Sequence, residues 1–320
     1  MKMENRRKNF EWILPVLGLM LSLMISTVYQ PLVTVNDQKT YPPPGQLVNV
    51  GDHRLHIHCI GKGIPTVVME AGMSGWSVDW ALVQPEIAKM TRVCTYDRAG
   101  YGWSDTGPRP RDSQHVGSEL QTLLLRTGIQ KDILVGHSLG GLFVQMHAKR
   151  YPKEIAGMVL VDSVHPAQSV RMNEDVRKKY EGNLTALTKL TSFLAPSGLL
   201  RLTNQPETII VQKLPREDQA MTRAMGLQSK AYRALADEMA SFAESQLEVR
   251  NAGPFPNVPL TVLSSSLVRD FPPGFSSESI KDLWDELQVD LARQQPNATH
   301  VIAKTSGHYI HLRIAIVLSS

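Results

Sequence analysis

The stretch ILVGHSLGG, Ile133–Gly141, decides the fold. Three aliphatic residues lead into a Gly-x-Ser-x-Gly pattern, and helix-forming residues continue from there to Arg150. A strand, a glycine-flanked serine and a helix in this order are the setting of a nucleophile elbow, a sharp turn that exposes a serine hydroxyl above a sheet. The pattern alone is common, but its place between a strand and a helix predicts that Ser138 is a nucleophile.

Strands and helices alternate on both sides of this turn. Gly51 and Asp52 form the turn of a predicted hairpin between the first two strands. Runs rich in β-branched and aliphatic residues predict strands at 46–50, 54–60, 65–70, 92–97, 131–136, 155–162, 259–263 and 299–303. This alternation implies right-handed crossovers and a mostly parallel sheet with helices on both faces, which is the α/β class.

The alternation stops between Asp162 and Pro259. Residues 164–257 show helical periodicity and many charges instead. Because a sheet strand follows them, we interpret them as a helical cap inserted over the carboxyl ends of the strands. The sequence therefore predicts one α/β domain at 46–320 that carries this cap.

The amino terminus carries a targeting signal. Four cations within residues 1–11 precede a stretch, 12–36, that contains no charged residue. A helix of about 20 apolar residues crosses a bilayer, and cations before it stay in the cytoplasm. We predict a single-pass cell-membrane anchor at 12–34, a proline-rich spacer at 35–45 and the catalytic domain on the outer side. A cleaved signal sequence and secretion are the alternative.

Composition excludes several classes of partner. The chain is 42% apolar and 20% charged, as in ordinary globular proteins, and its net charge of +4 includes no compact basic patch with interleaved aromatics. We therefore expect no nucleic-acid partner. Cys59 and Cys94 form no cluster with nearby histidines, so no metal and no cofactor is predicted. The two thiols either form one disulfide or remain small buried side chains. The sequence does not indicate an oligomeric state.

A serine hydroxyl becomes an effective nucleophile only when a base removes its proton. His308 follows the last predicted strand, where a loop returns to the carboxyl edge of the sheet, and His311 is the second candidate. The expected chain order is serine, acid, histidine. Asp162 ends the strand next to the elbow helix and is the predicted acid.

Two other carboxylates remain alternatives for the acid. The loop after the strand at 259–263 reads SSSLV and contains no carboxylate before Asp270. Asp270 or Asp285 would serve if Asp162 only caps its loop. The oxyanion needs two preorganised N–H donors, which we assign to the backbone of Leu139 and of Met73 in the loop AGMSG, Ala71–Gly75.

Three motifs together resemble the α/β-hydrolase superfamily, in its lipase and esterase-like branch with a helical cap. They are GHSLGG at Gly136–Gly141, DRAGYGWS at Asp97–Ser104 and SGH at Ser306–His308, and the resemblance extends over about 46–312. It implies an eight-stranded sheet whose second and fourth strands lie side by side, which would bring Cys59 and Cys94 together as a disulfide. Relatives that open epoxides or remove halide have aspartate at the elbow, so serine implies an acyl-enzyme route.

These observations predict a serine hydrolase that cleaves a carboxylic ester, or a related acyl bond, of a small acyl substrate. An aminopeptidase or amidase is the first alternative and would need a carboxylate pair in the cap, from Glu238, Glu244 or Glu248. The second is a surface-tethered binding module without turnover. It is considered because the family continues into a full terminal helix where this chain stops at Ser320, and a missing helix would leave apolar sheet surface uncovered.

Overall fold

Eight strands form one sheet in the computed structural model, which describes residues 27–202, 209–267 and 277–312. The order across the sheet is β1-β2-β4-β3-β5-β6-β7-β8. The strands are β1 (Gln46–Asn49), β2 (Arg54–Ile60), β3 (Val67–Glu70), β4 (Val93–Tyr96), β5 (Asp132–His137), β6 (Ile155–Val161), β7 (Leu260–Ser265) and β8 (Thr299–Ala303). Each of the eight predicted strands is present, with boundaries that differ by at most two residues.

The strand pairing is antiparallel at one end of the sheet and parallel elsewhere. β1 and β2 form the predicted hairpin, β2 pairs antiparallel with β4, and every later neighbour is parallel. This confirms the eight-stranded, mostly parallel sheet. Because β3 and β5 to β8 run in the same direction, their carboxyl ends lie at one edge of the sheet.

Alternate residues of the central strands are buried on opposite faces. Val68 and Leu134 pack in one apolar cluster, whereas Met69 and Val135, their neighbours in sequence, pack in another. Burial of both faces explains why these strands are almost uninterrupted apolar runs. The flanking helices are α2 (Gln84–Ala88), α3 (Ser113–Arg126), α4 (Leu139–Arg150) and α12 (Ser277–Ala292).

A group of short and long helices lies between β6 and β7. They are α5 (Gln168–Arg171), α6 (Glu174–Leu194), α7 (Leu199–Leu202), α8 (Ile209–Lys213), α9 (Arg216–Gly226), α10 (Ser229–Ala240) and α11 (Phe242–Asn251). They occupy the interval predicted for the cap at 164–257. On β8, Val301 and Ile302 are exposed, and the chain end at 313–320 lies outside the described residues.

The amino-terminal helix α1, residues 27–40, packs on this cap. Gln30 is buried and donates to the Leu227 carbonyl, and Asp37 pairs with Arg201 at 2.9 Å. One helix runs through residue 34, the predicted boundary between anchor and spacer, and the first part of the spacer is helical up to residue 40. The rest of the predicted anchor, 12–26, and the cytoplasmic segment 1–11 lie outside the described residues.

The part of the chain that the structure describes contains no candidate membrane-spanning helix. No helix within 27–202, 209–267 or 277–312 is both long enough and apolar enough to cross a bilayer.

Cys59 and Cys94 form a disulfide, as the family resemblance implies. They face each other in the register of the antiparallel pair β2 and β4, with their Cα atoms 4.0 Å apart. The bond closes a loop with a sequence separation of 35 residues, which contains β3, the loop Ala71–Gly75 and α2.

Reduction of this disulfide should destabilise the domain. The cross-link restricts the unfolded chain, which therefore loses less entropy on folding than the reduced chain does. The expected loss in the free energy of unfolding is about 3 to 4 kcal/mol. Urea unfolding with and without reductant measures it. The double variant Cys59→Ala/Cys94→Ala is the control and should not respond to reductant. An unchanged unfolding midpoint for the wild type, together with an unchanged intact mass on reduction, would contradict the bond.

Candidate active site

Two neighbouring strand ends and one loop bring the predicted site residues together. Ser138 follows β5, Asp162 follows β6, and His308 lies in the loop after β8. The Ser138 N–H donates to the Val161 carbonyl at 3.1 Å, so the serine and the aspartate leave adjacent strands at the same level. The parallel sheet therefore places all three side chains at its carboxyl edge.

The backbone at Ser138 has the geometry of a sharp elbow. Its φ of 52° and ψ of −121° are rare for a residue with a side chain, and such strain is found mainly at functional positions. The turn is tight enough to require glycine on both sides. A Cβ atom on Gly140 would collide with the Ala71 carbonyl oxygen, and one on Gly136 would lie 2.6 Å from the Gly141 Cα.

His308 lies between the serine and the aspartate. Its Nδ1 is 2.7 Å from Asp162 Oδ2, and its Nε2 is 3.0 Å from Ser138 Oγ. A carboxylate can only accept a hydrogen bond, so Nδ1 carries the proton and donates it to Asp162. Nε2 then has its lone pair directed at the serine hydroxyl, which is the arrangement that a general base requires.

Asp162 is fully buried, and its second oxygen has three donors. Oδ1 accepts from the Ser265 N–H at 3.0 Å, the Ser265 hydroxyl at 3.1 Å and the Trp284 Nε1–H at 2.9 Å. These donors stabilise a buried carboxylate and fix its plane, so that Oδ2 faces His308. The sequence did not identify Ser265 or Trp284. Ser265 could have been suspected, because it ends β7 directly before the loop where the family usually has its acid, whereas Trp284 has no local signal.

The alternative acids do not approach His308 in the described residues. Asp285 forms an ion pair with Lys281 on the same helix, and its side chain is 46% exposed. Asp270 lies outside the described residues. Of the two candidates that the structure describes, Asp162 lies against the imidazole and Asp285 does not.

His311, the second candidate for the base, is buried beneath the site instead. Its ring packs 4.6 Å from Trp80 and 4.6 Å from His137, measured between centroids. Burial lowers the pKa of His311 to about 3, so its ring is neutral. Burial and the neighbouring histidines also lower the pKa of His137 well below its ordinary value.

Two contacts fix the loop that carries His308. The His137 Nε2–H donates to the His308 carbonyl at 3.0 Å, so the residue before Ser138 holds the backbone of the candidate base. The N–H groups of Ser266 and Leu267 both donate to the Ser306 carbonyl. The loop is therefore attached both to the elbow and to the end of β7.

The predicted oxyanion donors flank the serine. Leu139 begins α4 directly after Ser138, and Met73 follows Gly72, whose added Cβ would lie 3.1 Å from Ser138 Cβ. Neither the Met73 N–H nor the Leu139 N–H donates to another residue that the structure describes. Both N–H groups are therefore free of competing acceptors among the described residues.

The carboxylates of the cap are not gathered at Ser138, since Glu244 and Glu248 line a cavity on α11 whose lining does not include that serine. Glu238 is buried and accepts from Arg98 and from the Tyr101 hydroxyl. Glu244 is exposed, and Glu248 accepts from the Gln114 N–H. Within the described ranges, no group of three or more histidine, cysteine, aspartate or glutamate side chains is arranged to hold a metal ion.

Comparison with known proteins identifies the same fold. Residues 65–201 match the profile of a family described as alpha/beta hydrolase fold. The 2-hydroxymuconate semialdehyde hydrolase of Pseudomonas sp. (strain CF600) is 27% identical over 172 residues, which cover 50% of this chain and 58% of that protein. The chain spans between 20% and 58% of the length of eight curated relatives that it matches.

Solved structures with this fold cover nearly the whole domain. A thermophilic esterase from Thermogutta terrifontis is 19% identical with a TM-score of 0.59, over 86% of this chain and 97% of that chain. An enol-lactonase from Burkholderia xenovorans LB400 is 18% identical with a TM-score of 0.57, over 86% and 97%. At this level of identity the similarity establishes the fold alone.

The neutral histidine beneath the site makes the domain sensitive to acid. An unfolded histidine has a pKa near 6.5, so between about pH 6.5 and pH 3 the unfolded chain binds a proton at His311 that the folded chain does not. Stability must therefore fall as the pH falls through this window. From pH 7 to pH 5 the His311 contribution is about 2 kcal/mol.

Urea unfolding of His311→Gln at both pH values tests this coupling. The variant should lose about 2 kcal/mol less than the wild type between pH 7 and pH 5. Trp80→Phe is the control, because it disturbs the same packing and keeps the titrating ring, so it should retain the wild-type pH dependence. Equal losses for wild type and His311→Gln would contradict a depressed pKa.

Proposed function

The chain belongs to the α/β-hydrolase superfamily, and we propose that it is a serine hydrolase that cleaves a carboxylic ester, or a related acyl bond, of a small molecule. The hydrogen-bonded series Ser138, His308 and Asp162 supports this proposal, with distances of 3.0 Å and 2.7 Å. Ser138 is partly exposed, whereas Asp162 is buried, so a substrate can reach the hydroxyl while the acid stays shielded from water.

Each group has one role in the proposed reaction. Ser138 Oγ attacks the acyl carbon as His308 Nε2 takes the hydroxyl proton, and the Met73 and Leu139 N–H groups hold the oxyanion. His308 then gives that proton to the leaving alkoxide, which departs as an alcohol and leaves an acyl-serine. His308 deprotonates a water, the resulting hydroxide attacks the acyl-serine, and Ser138 regains its proton as the acid product leaves.

Acyl chemistry suits the residue at the elbow. Solved structures of this fold include proteins named as epoxide hydrolases as well as an esterase and an enol-lactonase. Serine needs a base to become nucleophilic, and the proposed base stands 3.0 Å away. The amidase alternative has less support, because Glu238 is already committed to Arg98, and Glu244 and Glu248 line a cavity whose lining does not include Ser138.

We also propose that the amino-terminal segment attaches the domain to a lipid bilayer on its outer side. The uncharged stretch at 12–36 supports this, and the described part of it exposes three apolar residues spaced along one helix, Val28, Leu32 and Val35. The Cys59–Cys94 disulfide supports an oxidising compartment.

Replacement of the serine tests the proposed nucleophile. A fluorophosphonate probe should label the wild type on the peptide that contains Ser138, and Ser138→Ala should abolish labelling and lower kcat for p-nitrophenyl butyrate on the order of 10⁶-fold. Ser163→Ala, a buried serine on the next strand end, is the control for labelling. A well-folded wild type that takes up no probe would favour the binding-module reading.

The acid has its own test. Asp162→Asn should lower kcat by about 10⁴-fold, because an amide in place of the carboxylate no longer stabilises the imidazolium or selects its tautomer. Asp285→Asn is the matched control and should keep near-full activity, since that carboxylate pairs only with Lys281 in the described residues. The opposite ranking of the two variants would make the Asp162 assignment wrong.

Attachment to the bilayer can be measured on the full-length protein. The wild type should remain with sedimented membranes after an alkaline carbonate wash, and deletion of residues 1–26 should release it. Leu17→Lys should weaken retention, because a charge in the middle of a span costs about 3 kcal/mol on insertion. Wild-type protein found wholly in the supernatant would contradict the anchor.

A further inference from the structure

Arg98 lies behind the loop that carries one predicted oxyanion donor, and the proposed reaction gives it no role. It belongs to the motif DRAGYGWS, follows β4, and is 1% exposed. A buried arginine is costly unless every N–H of its guanidinium has a partner. The partners of Arg98 therefore indicate what the residue holds in place.

All five guanidinium N–H groups of Arg98 donate hydrogen bonds. Nε donates to Glu238 Oε1 at 2.7 Å, and Nη2 donates to Glu238 Oε2 at 3.2 Å. Nη1 donates to Glu70 Oε1 at 2.6 Å. The remaining two bonds go to backbone carbonyls of the loop Ala71–Gly75, called the oxyanion loop from here on. They run from Nη1 to Ala71 at 2.8 Å and from Nη2 to Gly72 at 2.9 Å.

The bond to the Gly72 carbonyl fixes the orientation of the Met73 N–H. Both groups belong to one planar peptide, which is trans, so they point in opposite directions. With its oxygen held at Arg98, the peptide directs the Met73 N–H away from the guanidinium. Ser138 lies against the same loop, because a Cβ on Gly72 would come within 3.1 Å of Ser138 Cβ.

Gly72 lowers the resistance to rotation of this peptide. It has no side chain, so no Cβ opposes the rotation on the Gly72 side, and a flipped peptide would present its carbonyl where the donor is needed. Besides Arg98, the Gly75 N–H also donates to the Gly72 carbonyl, at 3.0 Å. Two donors therefore hold one orientation, and only the one from Arg98 is connected to the cap.

Glu238 makes that connection. It lies on α10 of the cap, 140 residues from Arg98 in the chain, and its side chain is 1% exposed. The Tyr101 hydroxyl donates to its Oε2 at 2.9 Å. On the sheet side, Glu70 receives Arg98 and the Tyr96 hydroxyl. Arg98 thus joins the end of β3, the oxyanion loop and the cap through charged hydrogen bonds.

We propose that Arg98 is a positioning residue that holds the Met73 N–H in its oxyanion-binding orientation, and that Glu238 couples this orientation to the seating of the cap. The inference rests on the proposed serine hydrolase function. It assigns to Arg98 an effect on the transition state, where the oxyanion is fully charged, and little effect on substrate binding.

Arg98→Lys is the primary test, in the full-length protein with p-nitrophenyl butyrate. An ammonium keeps the charge but has three donors and cannot reach Glu238, Glu70 and both carbonyls together. We expect kcat to fall about 10- to 100-fold, as for an impaired oxyanion donor, with KM changed by less than about twofold. The fraction of molecules that react with fluorophosphonate at long times should equal that of the wild type.

Inhibition by propylboronic acid separates positioning from mere structural damage. Ser138 Oγ adds to boron, the serine proton passes to His308, and the resulting tetrahedral anion places an oxygen at the oxyanion donors. The inhibition constant should therefore rise by the same factor as kcat falls. A merely structural role predicts fewer active sites, but an unchanged inhibition constant for those that remain.

Arg111→Lys is the matched control. Arg111 is also buried and forms a two-bond pair with Glu119, at 2.6 and 2.7 Å, but it does not touch the oxyanion loop. It should lose stability comparable to that lost in Arg98→Lys while keeping kcat and boronate affinity. If both variants lose activity in proportion to their stability, the positioning role of Arg98 is overturned.

Glu238→Gln covers the case in which Arg98→Lys does not fold. An amide can still accept one hydrogen bond from Arg98, but it no longer balances the charge of the guanidinium. We therefore expect kcat and boronate affinity to fall together by about 3- to 10-fold, which is less than for Arg98→Lys because only the charge assistance of this hydrogen bond is lost. Unchanged values would overturn the coupling to the cap.

A wild type that is neither labelled by fluorophosphonate nor active on p-nitrophenyl butyrate would overturn the proposed function, and this inference with it. A fully active Arg98→Lys removes the inference alone.

Discussion

The parallel alignment of β5, β6, β7 and β8 is the constraint on which the site depends. Parallel strands bring their carboxyl ends to one edge, and ligand sites of open α/β sheets lie there. Ser138 and Asp162 leave this edge from adjacent strands, and the loop of His308 reaches it after β8. The 2.7 Å hydrogen bond between His308 and Asp162 is possible because the strand order places these chain segments side by side.

Buried charge at this edge is stabilised by complete hydrogen bonding. Asp162 receives three donors on one oxygen and His308 on the other, and Arg98 uses all of its N–H groups. A partly satisfied charge in the same position would cost several kcal/mol. Satisfied networks of this kind are rigid, and the proposed reaction needs rigidity, because its oxyanion donors must be oriented before charge develops.

Local pattern and chain order were enough to predict the strands, the elbow and the residues that meet there. Ser138, Asp162 and His308 each follow a strand whose apolar run is legible in the sequence, and parallel strands fix where such residues lie. Contacts between distant segments were not predictable in the same way. Trp284 reaches Asp162 from 122 residues away, and Glu238 reaches Arg98 from 140. Neither has a local signal, because the cap and α12 are placed only by tertiary packing.

At the amino terminus, too, the sequence did not reveal the contacts that a segment makes with distant parts of the chain. An uncharged run predicted an anchor ending at residue 34, but hydrophobicity does not reveal that Gln30 and Asp37 dock α1 on the cap.

The central proposal, covalent catalysis at Ser138, is tested most directly by intact mass spectrometry of enzyme quenched in acid during turnover of p-nitrophenyl butyrate. We predict a species heavier by one butyryl group, mapped to the peptide containing Ser138. Steady turnover without an acylated species, or with the acyl group on another residue, would contradict it.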